Sequence, residues 1–245
     1  MCIRDRSRQF DDVRVVDAVD MRGVSASQLL SEGKITLAAH SDLTRERMRH
    51  REIASAGAVG LYCSFRKVMS EEEGPVLICE QDCYPKEGLA DAVREMLIIP
   101  GWDVCTFGPL RVRGETEGAG PMRKLVSGDF WGLHATLVRT PRKVMQCLSL
   151  PIEMQADAVL SAAASAGLLD VRVEMGRNSA GQVPHFDSSL GNAAYCIKCH
   201  ISEDGIKTRI VLGTSLVIVI AVLVISIVAC ATYPNRDANW ARDEY

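Results

Sequence analysis

The sequence predicts an α/β domain followed by a single membrane-spanning helix. Three observations carry this. Between residues 10 and 192, short apolar runs alternate with amphipathic segments, the pattern of strands covered by helices. Within that region Val76-Leu77-Ile78-Cys79 reads as a buried strand that ends at once in Glu80-Gln81-Asp82. Near the end, Ile210 to Ala231 is a run of 22 residues without a charge. A helix of that length reaches about 33 Å, enough for a bilayer core of roughly 30 Å.

Taken in order, Val13–Val19 reads as a strand bracketed at its end by Asp17 and Asp20. Ser41-Asp42 can cap a helix that runs through the basic stretch to Arg51, and that stretch reads as a solvated face, with contact to a diphosphate or an acidic acceptor as the second reading. Gly57, Gly60 and Ser64 recur at helical spacing, with Leu61, Phe65 and Val68 on a second face of the same helix. After the strand at residues 76–79, Lys86–Leu97 is an amphipathic helix and Trp102–Phe107 a strand. Gly108 to Gly120 carries four glycines and Pro109, which predicts a loop and a candidate lid. Trp131–Val138 follows as a strand and Pro141–Leu148 as a helix with Pro in its first turn. Glu153–Ala166 is an Ala-rich helix closed by Gly167, and Leu168–Val173 the last strand. Past Gly176 the composition turns polar, so the domain is expected to close near residue 192. Residues 193–209 form a juxtamembrane segment and 232–245 a short tail, while residues 1–9 read as an artefactual or truncated start.

Composition narrows the function. A net charge of −3 and a pI near 6.0 give no basic face for nucleic acid. Aromatic content of 5% argues against a stacking platform for sugars or bases. Nine dispersed cysteines do not form a disulfide framework, and reduced, mostly buried thiols are expected. Cys196-Ile197-Lys198-Cys199-His200 has the spacing of covalent haem attachment and opens a reading as a membrane-anchored electron carrier. Half a zinc site or unliganded thiols explain the same residues.

The chemistry concentrates between Gly57 and Asp82. Ligands of open α/β sheets sit beyond the carboxyl ends of strands. Glu80 and Asp82 are two apart at such an end, so they can face the same side. Hard oxygen donors placed there suit Mg²⁺ or Mn²⁺ carrying a diphosphate. The bulk-free face of Gly57, Gly60 and Ser64 serves either tight packing or close approach of a ligand. Asp20 either hydrogen-bonds a nucleotide or caps the turn after its strand. Cys79 and Cys83, flanking the acidic turn, are a second, weaker chelating pair.

The same residues carry a resemblance. Gly57-x-x-Gly60-x-x-x-Ser64, followed by Val76-Leu77-Ile78-Cys79-Glu80-Gln81-Asp82, resembles glycosyltransferase family 25. That family holds lipopolysaccharide-type sugar transferases and procollagen galactosyltransferase-like enzymes. Arg14 to Asp20, Trp102-Asp103-Val104, Gly132 to Val138, Pro151-Ile152-Glu153-Met154 and Gln182 to Ser189 resemble its further segments in the same order. Phe65 stands where the family has His, Gln81 replaces its middle acid, Glu153 its Asp, and Met21 its Gly. The apolar opening strand and its N-L-x-R-R-type turn are not matched.

The resemblance implies a GT-A-like nucleotide-sugar-binding fold. It also implies transfer of a hexose from a UDP-sugar donor, with inversion, to a glycan, lipid-linked or protein hydroxyl. Glu80 and Asp82 would hold Mn²⁺ or Mg²⁺, and Asp20, Gly57, Gly60 and Ser64 would meet the donor. The base that takes the acceptor proton is expected among Asp157, Glu153, Asp129 and His134, with Asp157 and Glu153 placed on one helix face. A folded, non-catalytic relative acting as a membrane-tethered binding module is the alternative.

Overall fold

A computed structural model describes residue 10, residues 13–45, residue 47 and residues 49–183. All lie in the first of two units into which the chain divides, Met1–Cys196. The apolar run at 210–231 and the Cys196–His200 motif lie outside the described residues. Among the described residues no helix is long and apolar enough to cross a membrane.

The domain is a mixed α/β fold built on a six-stranded sheet. Its helices are α1 (Ala26–Ser31), α2 (Leu37–Thr44), α3 (Ala56–Glu71), α4 (Leu89–Ile98), α5 (Pro141–Cys147) and α6 (Ala156–Ser165). Its strands are β1 (Val76–Cys79), β2 (Cys83–Pro85), β3 (Val104–Thr106), β4 (Arg111–Glu117), β5 (Met122–Trp131), β6 (Ala135–Val138), β7 (Val171–Glu174) and β8 (Ala180–Gln182). The sheet order is β1-β6-β3-β7-β5-β4, and β2 pairs with β8 in a separate two-stranded ribbon. Within this six-stranded sheet β3 and β7 pair in parallel and the other neighbours antiparallel. Because β6 is antiparallel to both β1 and β3, those two strands and β7 nevertheless run the same way.

Period-two alternation along the strands explains why helices cover both faces. On β3, Val104 enters one apolar cluster and Cys105 the other; on β6, Val138 and Leu137 divide in the same way. The larger cluster packs α3, α5 and α6 through Val59, Phe65, Val144 and Leu160. The smaller seats α4 through Leu89, Val93 and Met96, with Trp102 and Phe107 beside them. Each fully buried side chain of this kind contributes about 1.5–3 kcal/mol. Phe65, 3% exposed, belongs to this core and does not face the site considered below.

Helix starts follow local chemistry. Ser25, Thr36 and Ser55 each accept from the backbone N–H three residues on, satisfying a donor that has no intrahelical partner. Thr36 therefore starts α2, not Ser41-Asp42, and α2 stops at Thr44, so the basic stretch is not helical. Pro141 opens α5 as expected.

Three further expectations are corrected. Val13–Val19 is extended but forms no strand. Its backbone crosses α3 instead, where Val19 N–H donates to Ser64 Oγ (2.8 Å). The segment Gly108–Gly120 is not a loop, for Arg111–Glu117 pairs with β5 in a long hairpin. At its kink Gly114 and Gly128 face each other with φ of 101° and 100°. A Cβ on either would collide with the opposite backbone, so only glycine passes there. Finally, Trp131–Val138 is not one strand, for Trp131 ends β5 and β6 begins at Ala135; Ala180–Gln182, within the predicted domain, forms β8.

Candidate functional site

The carboxyl ends of β1, β3 and β7 lie at one end of the sheet, together with the start of β6. Glu80 and Asp82 follow β1, and Glu80 N–H donates to the His134 carbonyl (3.0 Å) just before β6. A tight turn, closed by Cys83 N–H on the Glu80 carbonyl (2.9 Å), presents the two acids. Asp82 is buried, and its Oδ2 accepts from Gln182 Nε2 (2.6 Å). Val183 N–H donates to the Asp82 carbonyl (2.8 Å), so the turn is strapped to β8. Gln182 is the first residue of the last segment in the family resemblance. Its contact with Asp82 joins two motifs about a hundred residues apart.

Two polar atoms here are buried with no partner: Asp82 Oδ1 and His134 Nε2. Burial also shapes the titration of their neighbours. Glu80 is pushed up to about 8 by desolvation, then by the nearby charges of Asp82 and Asp157. His134 is lowered by its burial against the sheet, with the Gly108 backbone and Asp82 acting the other way.

A cavity opens beside this turn, lined by Glu80, His134 and Gln182 and also by Arg47, His50 and Asp157. Asp157 stands in the first turn of α6 and is buried. Its Oδ2 accepts from Gly132 N–H (3.2 Å) and faces His50 Nε2 at 2.9 Å; its Oδ1 accepts from Ala158 N–H (2.8 Å). The His50 ring stacks on Trp131, 4.2 Å between centroids. The guanidinium groups of Arg111 and Arg113 lie 5.1 Å from the indole centroid. Arg47 donates to the His50 carbonyl, and its Nη2 lies 3.2 Å from His50 Nδ1. Gln155, just before α6, fixes the segment by donating to the carbonyls of His50 and Glu52 (2.8 Å to the latter).

The expected site residues therefore separate. Glu80, Asp82 and Asp157 come together, with Glu80 and Asp157 lining one cavity. Glu153 does not join them, because α6 starts only at Ala156 and Glu153 is exposed ahead of it. The shared helix face for Glu153 and Asp157 is thereby lost. Asp129 instead accepts from the Trp131 indole N–H (3.1 Å).

Gly60 is buried under residues 19–21. A Cβ there would come closer to the Val19 carbonyl oxygen than the 3.0 Å that real Cβ atoms keep. Ser64 Oγ bridges the same contact, donating to the Gly60 carbonyl (2.7 Å). Gly60 and Ser64 thus serve close packing, and α3 meets the cavity through Ala58 and Leu61. Gly57 is partly buried and does not line it. Asp20 is exposed, bound by Arg22 (Nη2 to Oδ2, 2.6 Å), which holds its carboxyl down to about 2.

Trp131 and Gln155 are site residues that the sequence reading missed. Arg47 and His50 belong to the basic stretch read first as a solvated face and only second as a diphosphate or acidic-acceptor contact. One signal was present: Arg45, Arg47, Arg49 and Arg51 alternate, which is an extended period and not a helical one. The low aromatic content likewise hid that one aromatic stack sits at the cavity.

A roomier hollow of about 430 Å³ lies at the opposite end of the sheet, where β3 and β7 begin. Its charged groups neutralise one another: Lys143 binds Asp103 (2.6 Å) and Lys124 binds Asp170 (3.4 Å). Arg139 also lines this hollow, with a buried and unpartnered Nε, but the carboxylates there are all paired; the end that leaves a carboxylate oxygen, Asp82 Oδ1, unmet is the stronger candidate.

Glu80 and Asp82 fit a divalent cation. Asp82 Oδ1 lacks a partner, and Glu80 is held protonated near neutral pH by what surrounds it; a cation would relieve both. Among the described residues no group of three or more His, Cys, Asp or Glu could hold a metal ion. A cation on Glu80 and Asp82 would therefore have to complete its shell with substrate phosphates and water. Comparison with family models, with characterised proteins and with solved structures finds no match to this chain.

Proposed function

We propose that this chain is a GT-A-like, membrane-anchored glycosyltransferase that moves a hexose from a UDP-sugar to a hydroxyl acceptor with inversion. The observation that carries the reading is the meeting of Glu80, Asp82 and Asp157 at the carboxyl ends of the strands, strapped by Gln182. The ordered resemblance to glycosyltransferase family 25 supports it. The apolar run at 210–231 supplies the anchor, and the acceptor is a glycan, a lipid-linked glycan or a protein hydroxyl.

In this reading Glu80 and Asp82 hold Mn²⁺ or Mg²⁺, which when bound neutralises charge on the donor diphosphate. Arg47, at the other side of the cavity, adds positive charge toward the same anionic group. Asp157 is the residue placed to take the acceptor's proton, through the lone pair of Oδ1 left free by Ala158 N–H. His50 is a positioning residue: its Nε2 fixes the Asp157 carboxyl and its ring is clamped by Trp131.

The test is UDP-hexose binding to the full chain in detergent, with Mn²⁺ and with EDTA, beside Asp82→Ala. Mn²⁺-dependent binding that disappears in the variant is expected. A folded chain that binds no UDP-hexose under either condition overturns the reading and leaves the tethered binding module.

A further inference from the structure

The two thiols that bracket the acidic turn have no part in the proposed transfer, and the fold sets them side by side. Cys79 closes β1 and Cys83 opens β2, with only Glu80-Gln81-Asp82 between them. The chain doubles back there through the hydrogen bond from Cys83 N–H to the Glu80 carbonyl (2.9 Å). As a result the two side chains, four residues apart in sequence, flank one tight turn and come within reach of each other. Both sulfurs are unbridged.

Their settings differ. Cys79 is exposed, whereas Cys83 is 4% exposed and packs in the smaller apolar cluster. A disulfide exchange needs this asymmetry: one sulfur that a reagent can reach, and a second held behind it to resolve the mixed disulfide. Of the other described cysteines, Cys105 is fully buried, and Cys63 and Cys147 are partly buried.

We propose that Cys79 and Cys83 are a redox-active dithiol that exchanges with low-molecular-weight disulfides to form a bond across the acidic turn. Cys79 sulfur attacks one sulfur of the small disulfide, whose S–S bond breaks and releases one small thiol carrying the Cys79 proton. Cys83 sulfur then attacks Cys79 sulfur, releasing the second small thiol with the Cys83 proton. The two cysteines lose two electrons in all, and the small disulfide gains them.

The bond is of the reversible kind. A disulfide closing so short a loop removes little chain entropy from the unfolded state, so it adds little stability. Exposed disulfides of that sort are the ones readily reduced again. Drawing the sulfurs together to the bond length of about 2.05 Å tightens the turn that carries Glu80 and Asp82. The inference stands apart from sugar transfer, since it is read on the thiols alone.

The experiment uses the full chain in detergent, incubated with oxidised glutathione, quenched with an alkylating agent, and digested with trypsin. One tryptic peptide, Val68–Lys86, contains Cys79 and Cys83 and no other cysteine. The expected product is that peptide two hydrogens lighter, with both alkylation sites lost and both regained after dithiothreitol. Cys83→Ser should stop at glutathione on Cys79, and Cys79→Ser should leave Cys83 unmodified. Circular dichroism of each variant checks its fold, and the unsubstituted chain decides the question if either misfolds. A peptide that stays a dithiol, or that stops in the unsubstituted chain at glutathione on Cys79, overturns the proposal.

Discussion

Glu80→Gln is the perturbation that weighs the acidic turn most directly. In the metal-free chain the Glu80 carboxyl moves from an ordinary 4.5 to about 8. At 1.36 kcal/mol for each pH unit this sets about 5 kcal/mol, as an upper limit, against the ionised form. The sign follows from proton binding. Below pH 4.5 both folded and unfolded chains hold the proton and the side chain costs nothing extra. Between 4.5 and 8 the unfolded chain ionises while the folded chain keeps its proton, so stability falls as pH rises. Above 8 the loss is complete and constant. Glutamine keeps the shape without the titration, so the variant escapes this loss. Thermal unfolding in EDTA at pH 5, 6.5 and 8 should show Glu80→Gln gaining on the unsubstituted chain as pH rises. At about 2–4 °C for each kcal/mol in a domain of this size, the gap at pH 8 should reach several degrees. Added Mn²⁺ should raise the Tm of the unsubstituted chain at pH 8 and leave that of the variant in place. A gap that does not widen with pH, or a variant less stable at pH 8, refutes the reasoning.

Asp157→Asn should keep the fold but lower sugar transfer about 10²–10⁴-fold, read as product formed with Tm measured alongside. With His50→Ala the combined loss should fall short of the sum, because the two side chains share one hydrogen bond. Gly60→Ala should cost about 1–3 kcal/mol by forcing residues 19–21 off α3, seen as a lower urea midpoint. Gly128→Ala should destabilise at least as much, since it combines a left-handed φ of 100° with a collision against the Arg113 backbone; hydrogen exchange should localise the loosening to the β4–β5 hairpin.

What could be read in advance was what local chemistry decides. The start of α5 needs only Pro141, and α3 needs only its apolar spacing and a Ser cap. Strand β1 needs only four apolar residues and the acids that stop it. The losses came where a distant partner decides. Val13–Val19 has β-branched residues but meets α3 instead of a strand, and a strand exists only through its neighbour. The β4–β5 hairpin hid behind its glycines, which look like a loop until Gly114 and Gly128 are seen facing each other at the kink. The site divides in the same way. Glu80, Asp82 and Asp157 announce themselves as acids at element ends. Arg47 and His50 reach the cavity only because Gln155 pins their segment to α6, and nothing in the basic stretch records that.

Folded proteins rarely keep buried polar atoms without partners, and each such atom costs about 1–3 kcal/mol. Among the described residues three such atoms are kept: Arg139 Nε, and, within the few residues that also hold Glu80 against its ordinary ionisation, Asp82 Oδ1 and His134 Nε2. At the far end of the sheet the carboxylate is met, since Asp103 accepts from Thr140, Lys143 and Asp170 N–H, and the unpartnered atom there is a donor, Arg139 Nε. Glu174, as deeply buried, is likewise satisfied, by Gly108 and Ser179. The fold completes the carboxylates of Asp103 and Glu174 yet leaves Asp82 Oδ1 unmet at one strand end, which marks that end as a candidate ligand site. One carboxylate oxygen and one imidazole nitrogen are unmet there, and under the proposed reading a divalent cation with a bound phosphate would supply what they lack. A neutral metabolite would leave Glu80 and Asp82 opposing each other, so binding at this end should favour ligands that bring positive charge with them.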